Sequence, residues 1–164
     1  MARNTLRDIY IEQVQDMHSA CIQSDGITRR MAEIATAEDL KEALLDGVRG
    51  IERGRDTMAQ LARAQNAEAA GAHCRAMEGL VAEAQDELFG TDYTDDDTRD
   101  AMIVAQYQRM AHYAIAGYGT IRAFANRLGL TAERDAAQDC LEKSYDGDRR
   151  FTEIATGHVN RDAA

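Results

Sequence analysis

The sequence predicts an all-α fold: an up-down four-helix bundle with one additional short helix. Three observations lead there. The 164 residues contain no proline and no tryptophan, so nothing forces a helix break, and alanine is abundant at the expense of β-branched and aromatic residues. Apolar residues recur at alternating four- and three-residue spacing through long segments, the signature of an amphipathic helix. The segments are long and their junctions short, which suits antiparallel neighbours packed nearly parallel to one another.

The first helix is expected from Thr5 to Gln23, with Leu6, Tyr10, Gln13, Met17 and Ala20 along its seam. Ser24-Asp25-Gly26 is a plausible interruption, followed by an extension through Met31 and Ile34. Thr36-Ala37-Glu38-Asp39 has the form of a helix start, a threonine cap followed by acids. The second helix covers Ala37 to Ala64, with Leu40, Leu44, Gly47, Ile51, Gly54, Met58 and Leu61 as its seam. The third is short, Ala70 to Leu88, and an acidic stretch from Thr91 to Asp100 leads into the fourth.

The fourth helix, Asp97 to Leu128, is the longest. Ile103, Tyr107, Met110, Ala114, Gly117, Ile121, Phe124 and Leu128 form one seam, and Val104, Ala111, Ile115 and Tyr118 a second. A helix apolar on two sides belongs in the middle of a bundle. Gly129 closes it. The fifth helix runs from Thr131 to Val159 along Ala137, Leu141, Ser144, Asp148, Phe151, Ala155 and His158. Residues 1–160 then form one domain, and residues 161–164 a short tail.

Charge and composition narrow the function classes. A formal charge of −10 with no basic stripe opposes nucleic-acid binding. No apolar run reaches membrane-spanning length, and Met1 to Leu6 lacks the apolar core of a secretory signal. Cys21, Cys74 and Cys140 are odd in number and widely spaced, which fits reduced thiols in a cytoplasm. Neither a phosphate-binding glycine loop nor a nucleophilic triad is present, so no catalytic residue is assigned. His18 and Cys21 have metal-compatible spacing but read as a surface pair, and Asp95-Asp96-Asp97 reads as a solvated helix N-terminus.

The interior-facing positions hold several residues that do not belong in a simple leucine-like core. Gln13 and Asp148 fall in seams, and a buried carboxylate needs a partner. Asp148 is either a metal ligand with His112 or is hydrogen-bonded to Gln13, a tyrosine or an arginine. Gly47, Gly50 and Gly54 stack on one side of helix two. Three glycines there cost about 2–3 kcal/mol of helix propensity. Either they let helices approach closely, or functional side chains once stood there and are gone. The segment from His112 to Thr120 is a further oddity, with Gly117 and Gly119 inside a helix.

Three stretches carry a family resemblance: Cys74 to Leu80; Asp100-Ala101 through His112-Tyr113 to Tyr118-Gly119-Thr120; and Phe151 to Ala155 with Val159-Asn160. In these the chain resembles the YciF-like family of bacterial ferritin-like proteins, which is associated with stress responses. The resemblance implies a ferritin-like bundle, often dimeric, able in typical members to hold two metal ions among carboxylates and histidine.

Placed on this chain, the family's ligand positions are mostly vacated. The helix-one glutamate falls at Gln13, the helix-two glutamate and histidine at Gly50 and Gly54, the helix-four acids at Ala111 and Ala114. The helix-five glutamate and aspartate fall at Ser144 and Asp148. The resemblance therefore implies a dismantled di-metal centre: no metal, no cofactor and no catalysis, but a stress-associated structural or interaction role as a homodimer. The alternative is a di-iron oxidase type of protein holding iron or another divalent metal in a relocated site around Asp148 and His112, with Glu12 or Glu78. A third possibility is a small apolar ligand in the space left by the glycines.

Overall fold

The computed structural model describes residues 4–164; the reading of the N-terminus as leaderless concerns, in part, Met1 to Arg3, which lie outside them. The helices are α1 (Leu6–Ile34), α2 (Glu38–Ala64), α3 (Arg75–Phe89), α4 (Asp96–Arg127) and α5 (Thr131–Ile154). A π-helical turn, Ala155–Val159, and a short α6, Asn160–Asp162, follow. Helical hydrogen bonding thus reaches into the expected tail, and among the described residues there is no strand.

Four long helices form a ring in which α1 packs on α2, α2 on α5, α5 on α4 and α4 on α1. The pole contacts fix their directions. At one pole the start of α1 meets the start of α5 through Tyr10 and Glu133, and Gln65 beyond the end of α2 also bonds Glu133. At the other pole the α1–α2 junction meets the start of α4 through Thr36 and Asp100. Every neighbouring pair in the ring is therefore antiparallel, and α2 lies diagonally across from α4. The half-length α3 carries the chain over the outer face of α1 and α4.

Local sequence explains the helix starts, with two differences from expectation. Thr5 opens α1 with a reciprocal capping box: its hydroxyl accepts from the Asp8 amide at 3.2 Å, and the Asp8 carboxylate accepts from the Thr5 amide at 2.9 Å. Thr36, expected to cap α2 itself, instead donates its hydroxyl to Asp100 at 2.7 Å. The capping function comes from Asp100, 1% exposed, which also accepts from the Thr36 and Ala37 amides at 3.0 and 2.7 Å. A carboxylate from a distant helix thus satisfies amides that a local side chain was expected to cap.

The expected break at Ser24-Asp25-Gly26 does not occur, and α1 runs through it. Ser24 donates its hydroxyl to the Cys21 carbonyl at 3.3 Å, and Thr28 donates to the Ser24 carbonyl at 2.7 Å, so both hydroxyls are satisfied within the helix. The buried stripe of α1 is also shifted by one residue where Gln13 was placed: Val14 is fully buried and Gln13 half-buried. The start of α3 moves from Ala70 to Arg75, with the Cys74 thiol capping the Met77 amide at 3.4 Å. The core is built from Tyr10, Met17, Met31, Leu40, Leu44, Met58, Ile103, Ile121 and Phe151, all nearly inaccessible.

Candidate functional site

The glycine stack of α2 faces two tyrosines that cross the ring diagonal from α4. A Cβ on Gly47 would collide with the Tyr107 hydroxyl, and one on Gly54 with the Tyr118 hydroxyl. Both rings are buried. Tyr107 stacks on Phe151 of α5 with centroids 4.0 Å apart and planes 17° from parallel. The Tyr118 hydroxyl lies 3.3 Å from the Cys21 thiol. Gly50, between them, has only the tip of Arg53 near, 3.9 Å from where a Cβ would stand. Two of the three glycines thus make room for tyrosines, and the third opens onto empty space.

That space is a cavity of about 640 Å³ between α2 and α5. Its floor is apolar, with Met17, Cys21, Met77, Met110, Ala111 and Ala114 among its residues. Small residues also form the α5 wall: Ala136, Cys140, Ser144 and Gly147. Charged side chains of α2 and α5 line the mouth. Burial controls the acid–base chemistry inside. It pushes the Cys21 thiol up to about 11 and the Tyr107 hydroxyl up to about 12, and raises Tyr118 well above the usual phenol range. Burial also pushes the Cys140 thiol up, against the pull of a Thr57 hydrogen bond and the Lys143 and Arg53 charges. These thiols and phenols stay protonated at neutral pH, which suits binding better than nucleophilic chemistry.

The five positions of helices two, four and five at which the resemblance expects ligands meet here: Gly50, Gly54, Ala111, Ala114 and Ser144 all line the one cavity. Only Ser144 carries a donor atom, and its hydroxyl donates to the Cys140 carbonyl at 2.9 Å. Such a set does not fit two hard divalent cations, which require several carboxylate or imidazole ligands. Among the described residues no three His, Cys, Asp or Glu side chains are grouped as metal ligands.

Asp148 is placed differently from expectation. It does not line the cavity but lies in the groove between α4 and α5, with its side chain 19% exposed. The His112 Nε2 atom is 3.0 Å from its carboxylate, and Gln108 donates to it at 2.9 Å. Gln108 also reaches the Thr152 hydroxyl at 3.0 Å, so the cluster clips two helices together. His112 is largely exposed. Glu78, proposed as an accessory ligand, instead pairs with His73 at 3.1 Å near the start of α3, and Glu12 is half-buried on α1.

Cys21 was expected at the surface with His18. It is 4% exposed and forms part of the cavity floor, while His18 is half-buried. Residues that sequence reasoning left out of the site are Tyr107, Tyr118, Cys140 and Arg53. A signal for the tyrosines was present: Gly47 and Gly54 recur on one face of α2, while Tyr107 and Tyr118 share the long helix α4.

The family described as a domain of unknown function, DUF892, matches residues 5–164. Protein YciF of Escherichia coli (strain K12) is 30% identical over 167 residues, covering 99% of this chain and 98% of its own. The crystal structure of the E. coli stress protein YciF superposes with a TM-score of 0.88 at 27% identity, over 96% of this chain and 99% of that one. YcfI from Rhodopseudomonas palustris does so with a TM-score of 0.85 at 26% identity, over 93% and 97%. No helix among the described residues is long and apolar enough to cross a membrane. Matched in sequence and in fold along nearly its entire length, this chain belongs to the DUF892 family.

Proposed function

We propose that this protein is a ferritin-like bundle whose two-metal centre has been dismantled, serving as a non-catalytic structural or interaction protein. One observation carries the reading. The positions where family ligands would stand are Gly50, Gly54, Ala111, Ala114 and Ser144; they line a single cavity and none of them carries a carboxylate or imidazole. The half-length crossover between two antiparallel helix pairs is consistent with ferritin-like architecture. A stress-associated role is carried over from the E. coli relative, which is described as a stress protein. A cytoplasmic homodimer completes the proposal, from the unpaired thiols and from the resemblance.

The test is metal content by mass spectrometry on tag-free protein challenged with Fe(II), Mn(II) and Zn(II), together with an oxygen-consumption assay. The reading expects less than stoichiometric metal and no oxidase activity. Two metals per chain would overturn it and redirect attention to Asp148 and His112. Exchanging Asp148 for alanine separates the two cases, because it should change stability alone if the centre is gone.

A further inference from the structure

The cavity is lined by four acids, Asp46, Asp56, Asp139 and Asp146, and three cations, Arg53, Lys143 and Arg150. The chain as a whole has a formal charge of −10, and its ion pairs are mostly exposed. Of the acids at the mouth, Asp46 pairs with Arg150, Asp56 with Arg55 at 2.9 Å, and Asp146 with Arg149. Asp139 is left without an ion pair among the described residues. Arg53 of α2 and Lys143 of α5 line the same mouth and also have no carboxylate within 4.0 Å among the described residues. Two cations and one acid of the lining thus stand outside the ion pairs that engage the rest.

The Arg53 guanidinium folds back over Gly50, where a Cβ would sit 3.9 Å from its tip. Arg53 and Lys143, both exposed, act on the Cys140 thiol of the α5 wall, with Asp139 opposing them. One helical turn from Gly50, the Tyr107 hydroxyl lies against Gly47. This side chain is 9% exposed, lines the cavity and hydrogen-bonds to no described residue, although the Asp46 and Asp148 carboxylates are close enough to act on it. Its oxygen is open to the cavity and not sealed in the core, so a ligand can reach it. Below these three donors the floor is apolar and sulfur-rich: Met17, Met110 and Ala114. The cleft from Ala43 to Gln60 runs about 25 Å along α2, and its volume of about 640 Å³ is within the range of ligand pockets.

We propose that the cleft between α2 and α5 binds a single-headed carboxylic amphiphile, its carboxylate held by Arg53, Lys143 and the Tyr107 hydroxyl. The aliphatic body lies along the floor of Met17, Met110 and Ala114. An ionised carboxylate supplies the charge that the two cations lack and accepts the hydrogen bond that the phenol has to give. Methionine side chains adapt to a flexible chain better than branched ones. A ligand headed by an ammonium group would meet two like charges at the entrance.

The experiment compares three probes of equal chain length below their micellar concentrations: dodecanoate, dodecanol and dodecyltrimethylammonium. Each is titrated calorimetrically into the full chain, with melting curves as a check of folding. The proposal expects one saturable dodecanoate site per chain and weaker binding of the other two probes. The double variant Arg53→Gln/Lys143→Gln should weaken dodecanoate about tenfold or more and leave dodecanol unchanged. Tyr107→Phe should cost dodecanoate several-fold, and Gly50→Leu should block both probes by filling the chamber.

Absence of a saturable site for dodecanoate overturns the proposal, as does equal affinity for all three headgroups. Unaltered binding in a folded Gly50→Leu variant does so too. The inference rests on the cavity being free of metal, and metal content is read separately. Metal found there refutes the preceding reading, whereas a metal-free protein that ignores dodecanoate refutes only this one.

Discussion

The two long sides of the helix ring are closed by different means. On the α1–α4 side, α3 acts as a strap. The Cys74 amide donates to the Ser19 hydroxyl at 3.1 Å, the Cys74 thiol donates to Tyr113 at 3.0 Å, and Arg30 lies 3.8 Å over the Phe89 ring. On the α2–α5 side no strap exists among the described residues, and small residues face each other across a cleft. Small residues usually bring helices together. Here the glycine notches of α2 are filled from behind by Tyr107 and Tyr118 of α4, and these rings stand in the core where a leucine layer would otherwise close α2 on α5. The cleft is thus a product of the tyrosines as much as of the glycines.

The largest expected effect falls at the pole where the α1–α2 junction meets the start of α4. Asp100→Ala removes a buried acceptor of hydrogen bonds from the Thr36 amide, the Thr36 hydroxyl and the Ala37 amide. It should lower unfolding free energy by about 2–4 kcal/mol, measured by urea denaturation. Asp100→Asn should recover part of the loss. A loss below about 0.5 kcal/mol would mean that solvent replaces the carboxylate, and that this pole is looser than its burial indicates.

A sharper contrast lies within one helix. Gly50→Ala adds a methyl to open space and should raise stability by up to about 1 kcal/mol through helix propensity. Gly54→Ala gains the same propensity but drives a methyl into the Tyr118 hydroxyl, and should lower stability by about 1–2 kcal/mol overall. Adding Tyr118→Phe to Gly54→Ala should restore much of that loss. If Gly54→Ala melts above the parent protein, the tyrosines do not prop the cleft and the contrast fails.

These residues also mark how far the sequence could be read. The helices were legible because their apolar periodicity is a local property, and the glycine stack was legible as an anomaly for the same reason. What fills each glycine notch was not legible, because it depends on the rotation of α4, a helix about 50–70 positions away in the chain. The same limit applies to Thr36: its sequence context resembles a cap, but the acceptor that serves α2 is Asp100. Asp148 fell on an apolar seam by spacing, yet its carboxylate meets Gln108 and His112 of α4, a pairing that depends on how two helices are rotated. The break expected at Ser24 failed because hydroxyl-to-carbonyl bonds within α1 satisfy the polar groups without ending the helix.

Alkaline pH should act on the cleft through its buried thiols and phenols. Burial raises the Cys21 thiol from 9.0 to about 11 and the Tyr107 hydroxyl from 10.0 to about 12. The neutral forms are favoured by folding. Their contribution is therefore complete below the unfolded values and lost as pH rises through the folded ones. Urea midpoints should be flat from pH 7 to about 8.5 and fall progressively towards pH 11. Tyr107→Phe should flatten part of that fall, whereas an identical slope in the variant would place the titrating groups elsewhere, with Tyr113 and Tyr10 the next to test.

The smallest effect is expected at the C-terminus, where the π-helical turn brings His158 Nε2 to 2.8 Å from Asp39 near the start of α2. The hydrogen bond to Asp39 holds the imidazolium above its ordinary range, with Asp162 adding to the attraction. Because the folded value is raised, the stabilisation is complete below the unfolded value of 6.5 and fades as pH rises through the folded one. Both partners are substantially solvated, so screening keeps the gain small. Amide exchange across 155–162, corrected for intrinsic rates, should show greater protection at pH 5.5 than at pH 8, with little change in α2 beyond its first turn. His158→Gln should abolish the difference. Persistence of the pH dependence in that variant would show that α6 is held by the apolar contacts of Val159, which is 2% exposed, and not by the ion pair.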